Sequence, residues 1–229
     1  MTNKVQKRAR QLIGLAYDTL RTAGKQKAFC IGCNKTGTTS MAAAFRELGM
    51  VVGRQRMAEK LFFDWGKRDF HRILLYCQTA QAFQDIPFSL PFTYQAVDRK
   101  FTGSKFILTL RDNPEQWYSS LTRFHTILFG HDHLPSADEL KEVTYIQKGD
   151  VYAAHQLIYN TPPDDPYNKE SMIAHYNTHN STVIEYFRHR PEDLLVLNVA
   201  EPGAYERLCK FLGKPFPGKE FPWENKTAT

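Results

Sequence analysis

The residues with the clearest chemical potential lie in one run, Gly32-Cys33-Asn34-Lys35-Thr36-Gly37-Thr38-Thr39-Ser40. An apolar stretch precedes it and a helical pattern follows. In that context the backbone N–H groups of a glycine-containing turn and the start of a helix can gather on one anion. The run is nearly a nucleotide triphosphatase P-loop, but Thr38 stands where that motif requires lysine, and the lysine has moved back to Lys35. Gly32 and Gly37 allow close approach, while Thr36, Thr38, Thr39 and Ser40 add hydroxyl donors. Lys35 can reach an oxygen that bridges a leaving group and the group transferred. The chemistry implied is binding of a phosphorylated nucleotide and in-line transfer from it. An ordinary strand-to-helix turn would not need four hydroxyls within five positions.

Such a loop must be carried by a sheet. Short apolar runs bounded by turn signals predict strands over 28–32, 50–53, 82–85, 105–110 and 194–199. Helical patterns fall between them, over 39–48, around 62–77, and over 90–100, 114–128, 170–190 and 202–212, with Gly49 and Gly213 as stops and Pro114 in a first turn. Alternating strands and helices predict an α/β fold, a three-layer P-loop-type architecture with a central parallel sheet flanked by helices. Ligands of such sheets bind beyond the carboxyl ends of the strands, where the Gly32 loop, Asp85 and Arg111 would all emerge. Residues 130–166 are polar and rich in loop signals, ending in Pro162-Pro163-Asp164-Asp165-Pro166, and predict a flap or substrate-facing insert. The segment after Lys214 predicts an irregular tail.

The 229 residues suit a single domain, 1–229, and the net charge is +6. No arginine-rich run with interleaved aromatics occurs, so an anion pocket explains the basic excess better than nucleic acid does. Residues 4–23 predict an amphipathic helix, with Val5, Ala9, Leu12, Ile13, Ala16 and Leu20 among Lys4, Lys7, Arg8, Arg10 and Arg21. That pattern could lie on an acidic membrane, and packing on the domain itself is the plainer reading. No apolar leader follows the basic start, and no run of about 18 apolar residues occurs. Cys30, Cys33, Cys77 and Cys209 are too few and scattered for a disulfide framework and favour a reducing, cytoplasmic setting. The Cys30-x-x-Cys33 pair falls in strand and loop and reads as structural. His131-Asp132-His133 lacks a third ligand in register, so no metal is assigned.

The chain resembles the sulfotransferase superfamily that uses 3'-phosphoadenosine 5'-phosphosulfate (PAPS), particularly smaller members with a Lys-Thr-Gly-Thr-Thr-Ser loop, here residues 35–40. The resemblance runs over about residues 28 to 225. It implies that Lys35, Thr36, Gly37, Thr38, Thr39 and Ser40 hold the 5'-phosphosulfate. A second motif, Lys105 to Pro114 followed by Ser119, implies that Arg111 and Ser119 hold the 3'-phosphate. Arg111 offers a fork to a phosphate dianion, and Ser119 follows on the next helix. Further likeness lies in Asp85-Ile86-Pro87, in Leu194 to Asn198, in Phe211-Leu212-Gly213 and in Phe221-Pro222-Trp223-Glu224-Asn225.

Two departures stand out. Familiar cytosolic members carry a histidine as general base where this chain has Asp85. A carboxylate can do that task if burial raises its pKa, and a turn or cap role is the bland alternative for Asp85. His71, His125, His131 and His133 are rival bases. A tryptophan following the Gly-Thr-Thr of those members is replaced by Ser40, which leaves Tyr176, Phe216, Phe221 and Trp223 as candidates to stack on adenine, each equally suited to a core. The dimerisation motif of the cytosolic members is not matched, so no oligomeric state is implied.

The expected reaction is displacement at sulfur with 3'-phosphoadenosine 5'-phosphate (PAP) leaving, Lys35 stabilising charge and Asp85 removing the acceptor's proton, with no metal required. A small hydroxylated or aminated acceptor is favoured over a glycan or protein. Phe62, Phe63, Trp65, Tyr145 and Tyr152 could line its pocket or belong to the core. The alternatives are a P-loop kinase or triphosphatase, which needs lysine at position 38, and a nucleotide-binding protein of the same fold whose chemistry has lapsed.

Overall fold

Among the described residues four short strands form the centre: β1 (Ala28–Cys30), β2 (Ala82–Phe83), β3 (Lys105–Thr109) and β4 (Leu194–Leu197). All pair in parallel, in the order β2-β1-β3-β4. The structure is a computed structural model that describes residues 2–129 and 132–222 and, within the first helix, the side chains of Gln6 and of Ile13 onward. Register puts Phe29 opposite both Phe83 and Phe106. Its ring stacks between theirs, with centroids 5.3 Å and 5.6 Å away. Such same-face aromatic neighbours pin a three-strand register, because a one-residue slip would turn every ring to the opposite face. Ala28, Cys30 and Ile107 point to the other side.

The helices are α1 (Thr2–Thr22), α2 (Thr38–Glu47), α3 (Gln55–Ala58), α4 (Phe62–Gly66), α5 (His71–Tyr76), α6 (Thr93–Lys100), α7 (Pro114–Leu128), α8 (Ala137–Glu142), α9 (Asp150–Ala154), α10 (Lys169–Tyr186) and α11 (Ala204–Phe211). The Phe29 face is covered by residues of α3 to α6 and of α10, among them Trp65, Ile73, Val97 and Val183. The Cys30 face is covered by α2 and α11 through Met41, Phe45, Tyr205 and Leu208. This is the α/β architecture with a central parallel sheet flanked by helices. A third cluster, Trp117, Leu121, Leu140, Tyr167, Met172 and Tyr176, ties α7, α8 and α10 together beyond the strand ends. No helix among the described residues is long and apolar enough to cross a membrane.

Several expected elements change. Residues 50–53 make one bridge, Val52 to Ala82, instead of a strand. Gly53 packs so closely on Phe83 and Tyr76 that a Cβ would lie 2.8 Å from each, and the chain turns at once into α3. The 62–77 tract breaks into α4 and α5, because Gly66 ends the first and Arg68 adopts a left-handed φ of 59°. The segment expected as an irregular flap holds α8, α9 and a π-helical turn, His155–Tyr159. Its signal was local: Ser136 and Glu139 form a reciprocal capping box at the start of α8. Of the residues singled out above, His131, Trp223, Glu224 and Asn225 lie outside the described residues.

The loop after β1 rests directly on β3. A Cβ built on Gly32 would lie 2.3 Å from the carbonyl oxygen of Thr109 and 2.6 Å from its nitrogen. Gly32→Ala is therefore expected to force β1 and β3 apart and to lower stability by about 1–3 kcal/mol, measured as a shift in the denaturant midpoint. Gly203→Ala, which meets no atom within 4 Å but has a φ of 73°, should cost less. Equal losses would show that the Gly32 contact is soft.

Candidate active site

At the carboxyl ends of β1, β2 and β3 lies a cavity of about 300 Å³. Its polar end is formed by Asn34, Lys35, Gly37 to Ser40, Asp85 and Arg111. Three separate strand ends supply these groups, as the topology requires. Gly37 takes a φ of 103° as the residue before α2, and the helix start has no side-chain cap. A Cβ there would meet Val199 at 2.6 Å. The first-turn N–H groups of α2 therefore face the cavity without a competing side-chain acceptor at the cap, which is how a helix start receives an anion.

The loop is tethered from every side. Trp117 Nε1–H donates to Asn34 O at 2.9 Å, Ser89 Oγ–H to Asn34 Oδ1 at 2.8 Å, and Arg111 Nε–H to Lys35 O at 2.6 Å. Thr36 is fully buried, and its hydroxyl donates to Cys33 O at 2.6 Å while sharing a 2.6 Å bond with Thr109. Its side chain thus braces the loop from within, whereas Thr38, Thr39 and Ser40 line the cavity. Arg111 lines it too. Ser119 is exposed on α7 and lies outside the lining, which takes the next residue, Ser120.

Lys35 has a left-handed φ of 70°, and its ammonium lies 3.6 Å from the centre of the Phe124 ring. Burial lowers its pKa, the Asp85 carboxylate opposes that fall and Arg111 adds to it. Asp85 also has positive φ, 61°. Its Oδ1 accepts the Ile86 N–H at 2.8 Å and its Oδ2 accepts the Thr38 hydroxyl at 2.9 Å. Burial raises the Asp85 pKa; those two donors and Lys35 pull it down, and Glu59 pushes it further up. The carboxylate is thereby oriented and made more basic without being neutralised by a direct ion pair.

Among the rival bases, His125 lines the cavity. His71 is exposed and outside the lining, and His133 is on the surface, bonded to Asp132 and Glu139. His125 is held far below its usual pKa by burial, then by His155 and Lys35. His155 Nδ1–H donates to Pro166 O at 2.5 Å, and its Nε2 lies 3.4 Å from His125 Nδ1, which is also 2.9 Å from the Tyr167 hydroxyl. A carbonyl only accepts, so the His155 proton sits on Nδ1 and its Nε2 is an acceptor. That favours a proton on His125 Nδ1 and leaves His125 Nε2 as a base.

The other end of the cavity is apolar: Phe62, Phe63, Phe124, Leu128, Phe129 and Ile158 line it. Of the aromatics considered from sequence, Phe62, Phe63 and Tyr145 reach it. Trp65 is core, its Nε1–H donating to Pro91 O, and the Tyr152 hydroxyl is spent on Pro163 O. Glu59, Asp150, His155 and Tyr159 also line it without a sequence motif to announce them. Asp150 accepts backbone N–H bonds from residues 145 to 147, so its carboxylate shapes the wall. Tyr176 stacks on Trp117 at 4.7 Å and Phe221 packs on Tyr205, which are core roles, while Phe216 is partly exposed.

A family described as a sulfotransferase domain matches residues 27–229. The chain belongs to that sulfotransferase domain family. A search of curated proteins returned no match. The family match takes in every residue of the cavity. In this sulfotransferase domain Cys30 and Cys33 are buried, and burial pushes both thiols up to about 12, so neither offers a thiolate near neutral pH.

The buried imidazoles set an acid limit. His155 is pushed down to about 4 by burial, below the unfolded value of about 6.5. The unfolded chain therefore binds the extra proton first as pH falls, and stability is lost from about pH 6.5 towards 4. That amounts to about 3 kcal/mol for His155 alone. His155→Gln should flatten the pH dependence of the thermal midpoint in this window; an unchanged slope would assign the acid sensitivity elsewhere.

Proposed function

We propose that the chain transfers the sulfuryl group of PAPS to a hydroxyl or amine on a small acceptor with an apolar body. One observation carries this reading: a lysine ammonium, a hydrogen-bonded carboxylate of raised pKa and an uncapped helix start share a cavity whose far end is apolar. The residues fit an anionic nucleotide. Gly37 makes a turn in which a Cβ would press on Val199, and hydroxyls and N–H groups, which suit phosphate and sulfate oxygens, line the cavity beside it. Lys35, Gly37, Thr38, Thr39 and Ser40 would hold the phosphosulfate, Thr36 would brace them, and Arg111 with Ser119 would meet the 3'-phosphate. PAPS, when bound, supplies an activated sulfuryl group.

The chain's own residues do the rest. Asp85 accepts the acceptor's proton, its lone pairs aimed by Ile86 N–H and Thr38. The Lys35 ammonium offsets negative charge that develops at the loop, and its partial burial strengthens that interaction. The apolar wall orients the acceptor and excludes water. Four free, buried cysteines support a reducing, cytoplasmic setting. No observation favours the kinase reading: Thr38 stands in place of its lysine, with its hydroxyl given to Asp85.

Calorimetry should find micromolar, magnesium-independent binding of PAP and little binding of ATP; magnesium-dependent preference for ATP would overturn the donor assignment. Asp85→Asn should leave PAP binding intact and lower turnover about 10²–10⁴-fold. Because the folded Asp85 pKa is raised, the carboxylate costs stability above its unfolded pKa. The same variant should therefore melt at or above the wild-type temperature at pH 7, with the difference vanishing in acid. Full activity in Asp85→Asn would move the base to His125.

A further inference from the structure

We infer that α1 docks the protein on an anionic lipid bilayer surface, with Ile13, Tyr17 and Leu20 entering the interface. This does not rest on the reaction proposed above. The helix packs on the domain by one face. Thr22 is buried and its hydroxyl lies 3.4 Å from Gln78 O, and Asp18 meets Arg54 at 3.4 Å. Leu15 and Thr19 are half-buried beside them. The opposite face carries the large apolar residues: Ile13 is 70%, Tyr17 60% and Leu20 78% exposed. Their spacing of four and three residues puts them in one stripe, and Gln6, two turns earlier on the same line, is exposed as well. This inverts the usual arrangement, in which the apolar stripe of a surface helix faces the core.

Charge selects the occupant. Within Thr2–Thr22 the sequence has Lys4, Lys7, Arg8, Arg10 and Arg21 against the single acid Asp18, which is turned inward to Arg54. Arg21 lies against the Tyr17 ring, 5.4 Å from its centre, and Lys25 beyond the helix is exposed. A short apolar stripe containing a tyrosine, bordered by cations, matches the acidic headgroup boundary of a bilayer. Against a second copy of this chain the same cations would repel one another across the twofold contact. The apolar part is small, so binding should be reversible and strongly salt-dependent.

The test is sedimentation of the full chain with vesicles of phosphatidylcholine alone and with about a third phosphatidylserine, at low and high salt. The chain should pellet with the anionic vesicles, stay free of the neutral ones, and be released by about 0.5 M salt. Ile13→Ser combined with Leu20→Ser should weaken binding about tenfold or more without moving the thermal midpoint, since both side chains are exposed. In a separate Tyr17→Trp variant, tryptophan emission should shift to the blue only with anionic vesicles. The inference is overturned if the wild-type chain ignores anionic vesicles, or if the double serine variant binds them as well as wild type. A concentration-dependent dimer that the double variant abolishes, with no vesicle binding, would identify a second copy as the occupant instead.

Discussion

The close seat of the Gly32 loop on the end of β3 is the constraint on which the rest of the site depends. With no side chain between them, the backbone of the loop and that of Thr109 are held at contact distance. Thr36 and Thr109 then share a hydroxyl bond inside the turn, and Arg111, two residues beyond Thr109, reaches back to the Lys35 carbonyl. The cation that follows β3 and the cation of the β1 loop are thereby set at a fixed relation to each other. Such a joint stores the site's geometry in backbone contacts, which deform less than long side chains do.

The loop is also where local and tertiary forces are balanced. Lys35 and Asp85 both occupy left-handed backbone conformations that cost free energy for residues with a Cβ. The surrounding bonds, from Trp117, Ser89, Arg111, Thr38 and Ile86, hold them there. Positive φ at two charged residues that face one cavity belongs to the site's construction, and the bonds that offset it are drawn from α7, from the segment before α6 and from both neighbouring strand ends.

What could be read from the chain and what could not divide along physical lines. β1 and β3 were visible because buried parallel strands are short apolar runs, β4 because Leu194–Leu197 is such a run even at the sheet edge, and α7 because Pro114 marks its first turn and its apolar period persists for four turns. The loop after β1 was visible because its glycines and hydroxyls are contiguous. The helical content of residues 130–166 was not, because α8 and α9 are too short to show a period; only the Ser136–Glu139 box announced one of them. Glu59, Asp150 and Tyr159 come to the cavity from segments far in sequence from the loop after β1, so nothing local marks them. Thr36 has the residue type of a ligand, and only the fold shows that its hydroxyl is engaged inward with Cys33 and Thr109. The exposure of Ile13, Tyr17 and Leu20 depends on which face of α1 the domain holds, and a helical period alone cannot distinguish the two faces.

The position of Lys35 on the Phe124 ring has one more consequence. The next residue on α7 is His125, whose protonation the same ammonium opposes. A single lysine thus bears on two properties of the cavity: it supplies positive charge at the polar end and, after burial and His155, adds to what keeps the imidazole beside it neutral. Removing the lysine should therefore raise the proton affinity of His125. What the loss of Lys35 reports is consequently a change at the imidazole as well as the loss of its own charge.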